Sequence, residues 1–270
     1  MGIKVEPNRG LRGNLTHQLV VAKKLLGFVE TTMLAWQTPP HLDRRKAAIL
    51  MALADKSFRT FETIHYLMET TIAVDDAGAL LRILYESVLN AAFLLNADNQ
   101  TVDNYADFFM YRNQRDHELF AQIDPATAEA ALTREETATM RRHSDSVKGR
   151  YSHGKWTTVS IEDMAKKADE QFPPGFKVFA YLYAGIYRQL SAHVHSDVRS
   201  IQGRIRESED GGPVWIQRAV SDTERARVMH AANFLMFAIC FTVTSTFYGN
   251  RYVPDWNSLV LQWNGNEKVS

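Results

Sequence analysis

The sequence predicts an all-α protein, a helical bundle of about seven to eight helices. Three observations support this fold class. Apolar residues recur at helical spacing from Leu15 onward. Capping residues and prolines divide these stretches into lengths typical of helices. The sequence also lacks the glycine-rich strand-to-helix turn of nucleotide-binding α/β folds. With 270 residues, of which 45% are apolar, the chain can bury a large core.

The N-terminal third of the sequence predicts three helices, over about residues 15–37, 44–70 and 77–95. Pro39 and Pro40 separate the first two helices. The third is apolar on nearly every side, so we expect it to be the central helix of the bundle.

Further helices are predicted over about residues 101–120, 125–140, 161–171, 176–193 and 222–249. Asp124 caps the second of these, and Ser221 with Glu224 forms a capping box at the start of the last. Helical spacing fails near residues 197–217, where we expect a short irregular or β-hairpin insert. We expect one helical bundle domain over residues 1–250 and a partly packed C-terminal tail over residues 251–270.

Charge and cysteine content limit the classes of function. Lys and Arg together number 31, as do Asp and Glu, so any polyanion site must be a local patch. The single cysteine, Cys240, has apolar neighbours, and the N-terminal residues do not resemble a signal peptide, so we expect a cytoplasmic protein. Residues 231–247 carry no charge but include several polar side chains, which favours a core helix over a membrane span.

One segment carries the strongest chemical signal. On a straight helix, Arg188, Ser191 and His195 share one face, whereas His193 points away from Arg188. Arginine offers a planar charged fork that suits phosphate groups, and imidazole can transfer a proton near neutral pH. The segment therefore predicts a catalytic site for phosphoryl chemistry.

The same segment resembles a known motif. Arg188, a polar residue and then His193 or His195 match the signature of the HEPN superfamily. Together with Arg82 and Glu86 on the central helix, the segment also resembles the uncharacterised bacterial domain-of-unknown-function family 5677. That resemblance would cover a HEPN-like core over about residues 77–247.

The resemblance implies an all-helical fold and, for active HEPN proteins, metal-independent RNA cleavage at a site assembled across a homodimer. A histidine would assist attack of the ribose 2′-OH on the adjacent phosphate, and Arg188 would stabilise the developing charge. Such an endoribonuclease would be of bacterial toxin or phage-defence type. An antitoxin or another protein is then an expected partner, and no cofactor is expected.

A local excess of positive charge favours RNA as a ligand. Between residues 141 and 155 the sequence has several basic residues but only one acidic residue, Asp145. Two glycines also interrupt the helical pattern there. We therefore expect a basic loop that contacts the phosphate backbone. Its predicted RNA-binding residues are Arg141, Arg142, Lys148, Arg150 and Lys155.

Two alternatives remain open. Arg188, Ser191 and His195 can instead bond to Arg82 and Glu86, as a structural polar network inside a non-catalytic binding or dimerisation module. A metal-carboxylate bundle is the third hypothesis, because Glu62 and His65 form a Glu-x-x-His motif and Glu69 follows. Such bundles need the motif twice and the sequence has it once, so no metal ligand is predicted.

Overall fold

The computed structural model describes residues 11–33, 38–39, 41–71, 73–151, 155–170, 178–188, 190, 205–207, 212–215, 220–249 and 251–265. The described part of the chain contains ten α-helices, so the all-α prediction is confirmed. In chain order these are α1 (Leu15–Met33), α2 (Arg44–Thr70), α3 (Val74–Leu95), α4 (Asn99–Ile123), α5 (Pro125–Ala131), α6 (Arg134–Val147), α7 (Ile161–Asp169), α8 (Val178–Leu182), α9 (Asp222–Val243) and α10 (Val253–Trp263).

The chain divides into two compact units. Unit 2 comprises residues 96–163, and unit 1 comprises the residues before and after it. The single domain predicted over residues 1–250 and the separate tail stay predictions. Unit 1 holds α1 to α3 and α8 to α10, whereas α4 to α6 belong to unit 2.

The core of unit 1 forms around α9. This helix packs against α1, α2 and α3, and it is buried on almost every side from Met229 to Val243. Large side chains of α2 and α3, including Phe61 and Leu84, are also fully buried. Within the described residues, two segments, Val74–Leu95 and Asp222–Tyr248, are long and apolar enough to cross a membrane. Because buried core helices pass the same test, length and composition are weak evidence for a span.

Unit 2 has a smaller core. Tyr111, Val147 and Tyr151 are buried together, and Phe108 packs against them. The Asp98 side chain caps α4 through the backbone N–H of Thr101 at 2.7 Å. In the same way, Asp124 caps α5, as its sequence position predicted.

The predicted fifth helix, over about residues 125–140, is wrong because two helices occupy the region. Leu132 is extended, and a capping box then starts α6: Glu136 N–H donates to Thr133 Oγ1, and Thr133 N–H donates to the Glu136 carboxylate. The loop predicted from residue 141 is also wrong in its first half, since α6 continues to Val147. Buried Met140 and Ser144, four residues apart, continue the inward face of that helix among charged neighbours.

The remaining differences concern the C-terminal half. Residues 253–263, predicted as part of a tail, form α10, whose first turn contains Pro254 and whose Trp263 is buried. Within the predicted insert, strands β1 (Ile205–Glu207) and β2 (Pro213–Trp215) pair antiparallel. Two helices continue as π-helical turns, α8 over Tyr183–Tyr187 and α9 over Thr244–Tyr248.

Candidate functional site

Three side chains of unit 1 form a polar cluster between α3 and the π-helical turn after α8. Glu86 Oε1 accepts hydrogen bonds from Arg82 Nε at 3.2 Å and from the Tyr187 hydroxyl at 2.7 Å. The Arg82 guanidinium carbon also lies 5.3 Å from the centre of the Tyr187 ring, a cation–π contact. We call Arg82, Glu86 and Tyr187 the Glu86 cluster. Through Tyr187, this cluster connects α3 to the segment that carries Arg188.

Aromatic packing fixes the position of Tyr187. Its ring centre lies 5.0 Å from that of Tyr85 and 5.6 Å from that of Tyr183, with which it stacks. The Tyr85 hydroxyl in turn donates to the carbonyl of Phe179, on α8, at 3.0 Å. These contacts hold the π-helical turn against α3.

Two features of the sequence allow α8 to begin and pack where it does. The Asp169 carboxylate accepts from the backbone N–H groups of Phe179 and Ala180, both at 2.8 Å, and so satisfies the open end of the helix. On α3, a Cβ atom at Gly78 would lie 3.0 Å from the Leu190 side chain. The absence of a side chain at Gly78 therefore permits the close approach of the segment that carries Arg188.

The environment keeps the phenols of this site protonated. Burial raises the pKa of Tyr187 to about 12, and the Glu86 carboxylate contributes to the increase. Burial also raises the pKa of Tyr85 well above its ordinary value. Both hydroxyl groups are therefore hydrogen-bond donors at neutral pH.

The residues predicted as catalytic are only partly described. Arg188 is exposed to solvent directly after the buried Tyr187. Ser191, His193 and His195 lie outside the described residues. Arg82 and Glu86 contact each other, as i,i+4 spacing on α3 suggests. The side chain that reaches Glu86 from the α8 segment is Tyr187, a residue not predicted for this site from the sequence.

The five basic residues predicted to bind RNA differ in their surroundings. Arg141 and Arg142 lie exposed on α6, Lys155 is exposed, and Lys148 begins a 3₁₀ turn. Arg150 is engaged with Asp107, with Nη1 and Oδ2 3.3 Å apart. Arg141, Arg142 and Lys155 therefore offer accessible positive charge on unit 2.

The residues of the metal hypothesis do not form a ligand set. Glu62 is exposed, and Glu69 forms an ion pair with Lys23 at 2.5 Å. His65 is buried, and this burial lowers its pKa. Among the described ranges, no three His, Cys, Asp or Glu side chains are grouped so as to hold a metal ion. The third hypothesis therefore has no support in the described part of the protein.

A second polar cluster of unit 1 was not predicted. The Asn233 side chain, on α9, donates to the Gln18 backbone and side-chain oxygens, both at 2.9 Å. Trp263 Nε1, on α10, donates to the same Gln18 side chain at 3.3 Å. The ring of His230 stacks on Trp263 with 5.0 Å between ring centres. This cluster connects α1, α9 and α10, and its burial indicates a structural role.

Comparison with known proteins places these features in a family without a known activity. The sequence model of a family of unknown function, DUF5677, matches residues 47–213, which is more than half of the chain. The match begins in α2, earlier than the predicted residue 77, and it includes Arg82, Glu86 and Arg188. No curated protein and no solved structure matches the chain significantly.

Proposed function

The chain belongs to DUF5677, a family of unknown function, and from this starting point we propose that it is a HEPN-like, metal-independent endoribonuclease of bacterial toxin or phage-defence type. In this proposal the protein acts in the cytoplasm on RNA, as a homodimer, and a partner such as an antitoxin controls it. Arg188 is its anion-binding residue, and His195 or His193 transfers the proton.

The exposure of Arg188 beside the Glu86 cluster carries the proposal. Tyr187 is buried and bonded to Glu86, so the backbone at Arg188 is held against α3. The Arg188 side chain nevertheless remains accessible to solvent. An arginine that served the internal network would instead be buried against Glu86. A permanently charged fork on a fixed backbone suits recognition of a phosphate group.

The proposed reaction assigns one role to each residue type. The histidine accepts the proton of the ribose 2′-OH while the 2′ oxygen forms a bond to the adjacent phosphorus. The bond from phosphorus to the 5′ oxygen breaks, and that oxygen takes up a proton from water. Arg188 stabilises the negative charge that develops on the other phosphate oxygens, and Ser191 is a supporting hydrogen-bond donor. No step requires a metal ion.

The basic residues of unit 2 supply the sequence-independent part of RNA binding in this proposal. Arg141, Arg142 and Lys155 present exposed charge, and Lys148 and Arg150 lie in the turn between them. Each phosphate contact releases counterions, so binding weakens as salt concentration increases. The zero net charge of the chain makes this local patch necessary.

RNA cleavage in the presence of EDTA tests the proposal. We expect the purified chain to cleave RNA with the metal chelated, and Arg188→Ala to reduce the rate by roughly 100-fold or more, as for other oxyanion-stabilising groups. His195→Ala and His193→Ala then identify which histidine acts. Arg227→Ala, at another exposed helical arginine of unit 1, is the matched control and should retain the wild-type rate.

Melting temperatures separate lost chemistry from lost folding. The proposal requires the Arg188→Ala variant to have the same melting temperature as the wild type. Wild-type rates for the Arg188 variant, or cleavage that stops when metal is chelated, would contradict it.

A non-catalytic binding or dimerisation module is the second candidate. The observation that favours it is that the Glu86 cluster already satisfies Arg82, Glu86 and Tyr187 as an internal network. On this alternative, no RNA is cleaved under any condition, and substitutions in the segment change stability alone.

A further inference from the structure

Helix α4 departs from the usual amphipathic pattern at several positions. Its buried positions include Asp107 and Gln114, which are polar. Its exposed positions carry large apolar side chains, with exposed fractions of 64% for Phe109, 59% for Leu119 and 76% for Ile123. A helix of an isolated domain normally places such residues inward. Clustered apolar exposure marks an interaction surface.

These apolar residues belong to one continuous stripe. On a straight helix the exposed apolar residues from Phe109 to Ile123 fall, with Arg112 and Asp116, within an arc of about 100° that extends over about 21 Å, whereas the exposed Arg115, Glu118 and Gln122 lie outside this arc. We call this surface the α4 stripe. Its members are Phe109, Arg112, Asp116, Leu119, Phe120 and Ile123.

The order of residues in the α4 stripe is self-complementary from Phe109 to Leu119. Arg112 and Asp116 lie at its centre, with charged atoms 3.9 Å apart and side chains more than half exposed. Positions 109 and 119 are equally distant from position 114, and so are positions 112 and 116. A two-fold axis opposite position 114 would therefore set Phe109 against the partner's Leu119, and Arg112 against the partner's Asp116. An isologous interface requires this property.

We propose that the α4 stripe is a homodimer interface in which two α4 helices pack antiparallel about this axis. The apolar ends supply the buried surface, and the two Arg112–Asp116 contacts fix the register. The stripe carries one positive and one negative charge, so it does not suit a polyanion such as RNA. A single helix face buries less surface than the about 800 Å² per partner of a standard interface. We therefore expect a dissociation constant on the order of micromolar.

Sedimentation of the full chain over a range of concentrations tests the interface. We expect a monomer–dimer equilibrium, and we expect Phe109→Glu and Leu119→Glu each to increase the dissociation constant by more than 10-fold. Both residues are exposed, so these variants should keep the wild-type circular dichroism spectrum and melting transition of the monomer. The interface builds on the homodimer of the proposed function, and because sedimentation involves no RNA, its failure is distinguishable from a failure of the proposed nuclease activity.

Charge reversal tests the register. Arg112→Asp and Asp116→Arg should each weaken the dimer, because each places like charges opposite one another at both symmetry-related contacts between positions 112 and 116. The double variant R112D/D116R should restore dimerisation to near the wild-type level. The matched control is the reversal of Asp55 and Arg59 on α2, another exposed i,i+4 pair at 2.9 Å, which should change nothing.

Three outcomes would overturn the proposal. The first is a chain that remains monomeric at the highest attainable concentration. The second is a dimer that persists when Phe109 and Leu119 are both replaced by Glu. The third is a double charge reversal that remains as weak as the single ones, because opposite-charge pairing across the axis would then not set the register.

Discussion

Tyr187 links the proposed chemistry to the stability of unit 1. Its hydroxyl donates to Glu86 at 2.7 Å, and its ring lies under the Arg82 guanidinium. The neighbouring Arg188 is exposed. One residue therefore holds the segment, and the next presents a charge to solvent, so their substitutions should have separable effects.

We predict that Tyr187→Phe destabilises the folded protein by about 1 kcal/mol at pH 7, below the range for buried bonds to charged groups because Glu86 is partly exposed. The pKa of Tyr187 is raised from about 10 to about 12 on folding, so folding favours the protonated phenol. This contribution is complete below pH 10 and is lost as the pH rises toward 12. Urea denaturation of both proteins from pH 7 to 11 measures it.

Tyr66→Phe, at an exposed tyrosine of α2, is the control and should have no effect. Equal stability of the Tyr187 variant and the wild type at pH 7 would contradict the prediction. So would a stability difference that grows as the pH rises above 10.

Among the single residues of the Glu86 cluster, the sequence predicted the two charged members but not the tyrosine. Arg82 and Glu86 stand out because a mostly apolar helix must pair its charges. Tyr187 does not stand out, since Tyr181 and Tyr183 precede it in the same segment. The π-helical turn also departs from the straight-helix geometry by which neighbouring residues were assigned to faces.

The stacked pair of His230 and Trp263 lies between α9 and α10, where Trp263 also packs on Phe234 and Phe237. Burial lowers the pKa of His230 to about 4, and the nearby positive charges of Arg12 and His17 contribute. The neutral ring therefore fits this helix interface, and the protonated ring does not.

We predict that His230 makes the protein less stable in mild acid. The unfolded chain binds this proton near pH 6.5 and the folded chain only near pH 4, so stability is lost as the pH falls through this range. The loss attributable to His230 is at most about 3 kcal/mol. His230→Phe, which keeps a ring against Trp263, should flatten the dependence of unfolding free energy on pH between 6.5 and 4. An unchanged slope in this variant would contradict the assignment.

Helix boundaries were predictable where one side chain determines them. The caps at Asp124 and Ser221 follow from local hydrogen bonds, and the structure contains both. The division between α5 and α6 was missed because the capping box at Thr133 lies inside a polar stretch without an apolar pattern. The last helix, α10, forms because Trp263 is buried against distant residues, which local sequence does not reveal.

For the whole molecule, the sequence predicted the fold class but not the two compact units. No run rich in glycine, proline or serine marks their boundaries near residues 95 and 164, so composition gives no signal there. The units differ in what they bury. Unit 1 encloses the apolar α9, whereas unit 2 buries Asp107, Gln114 and Ser144 beside a small aromatic core.

This difference predicts unequal local stability. Amides of α3 and α9 should exchange with solvent only through global unfolding of unit 1, because their side chains are buried on nearly every side. Amides of α4 to α6 should exchange through a separate opening of lower free energy, since less apolar surface holds them. Hydrogen exchange followed by mass spectrometry in low concentrations of denaturant distinguishes global unfolding of unit 1 from this separate opening of α4 to α6. The same exchange free energy in both sets of helices would show one cooperative unit instead, and the smaller core of unit 2 would then not determine its opening.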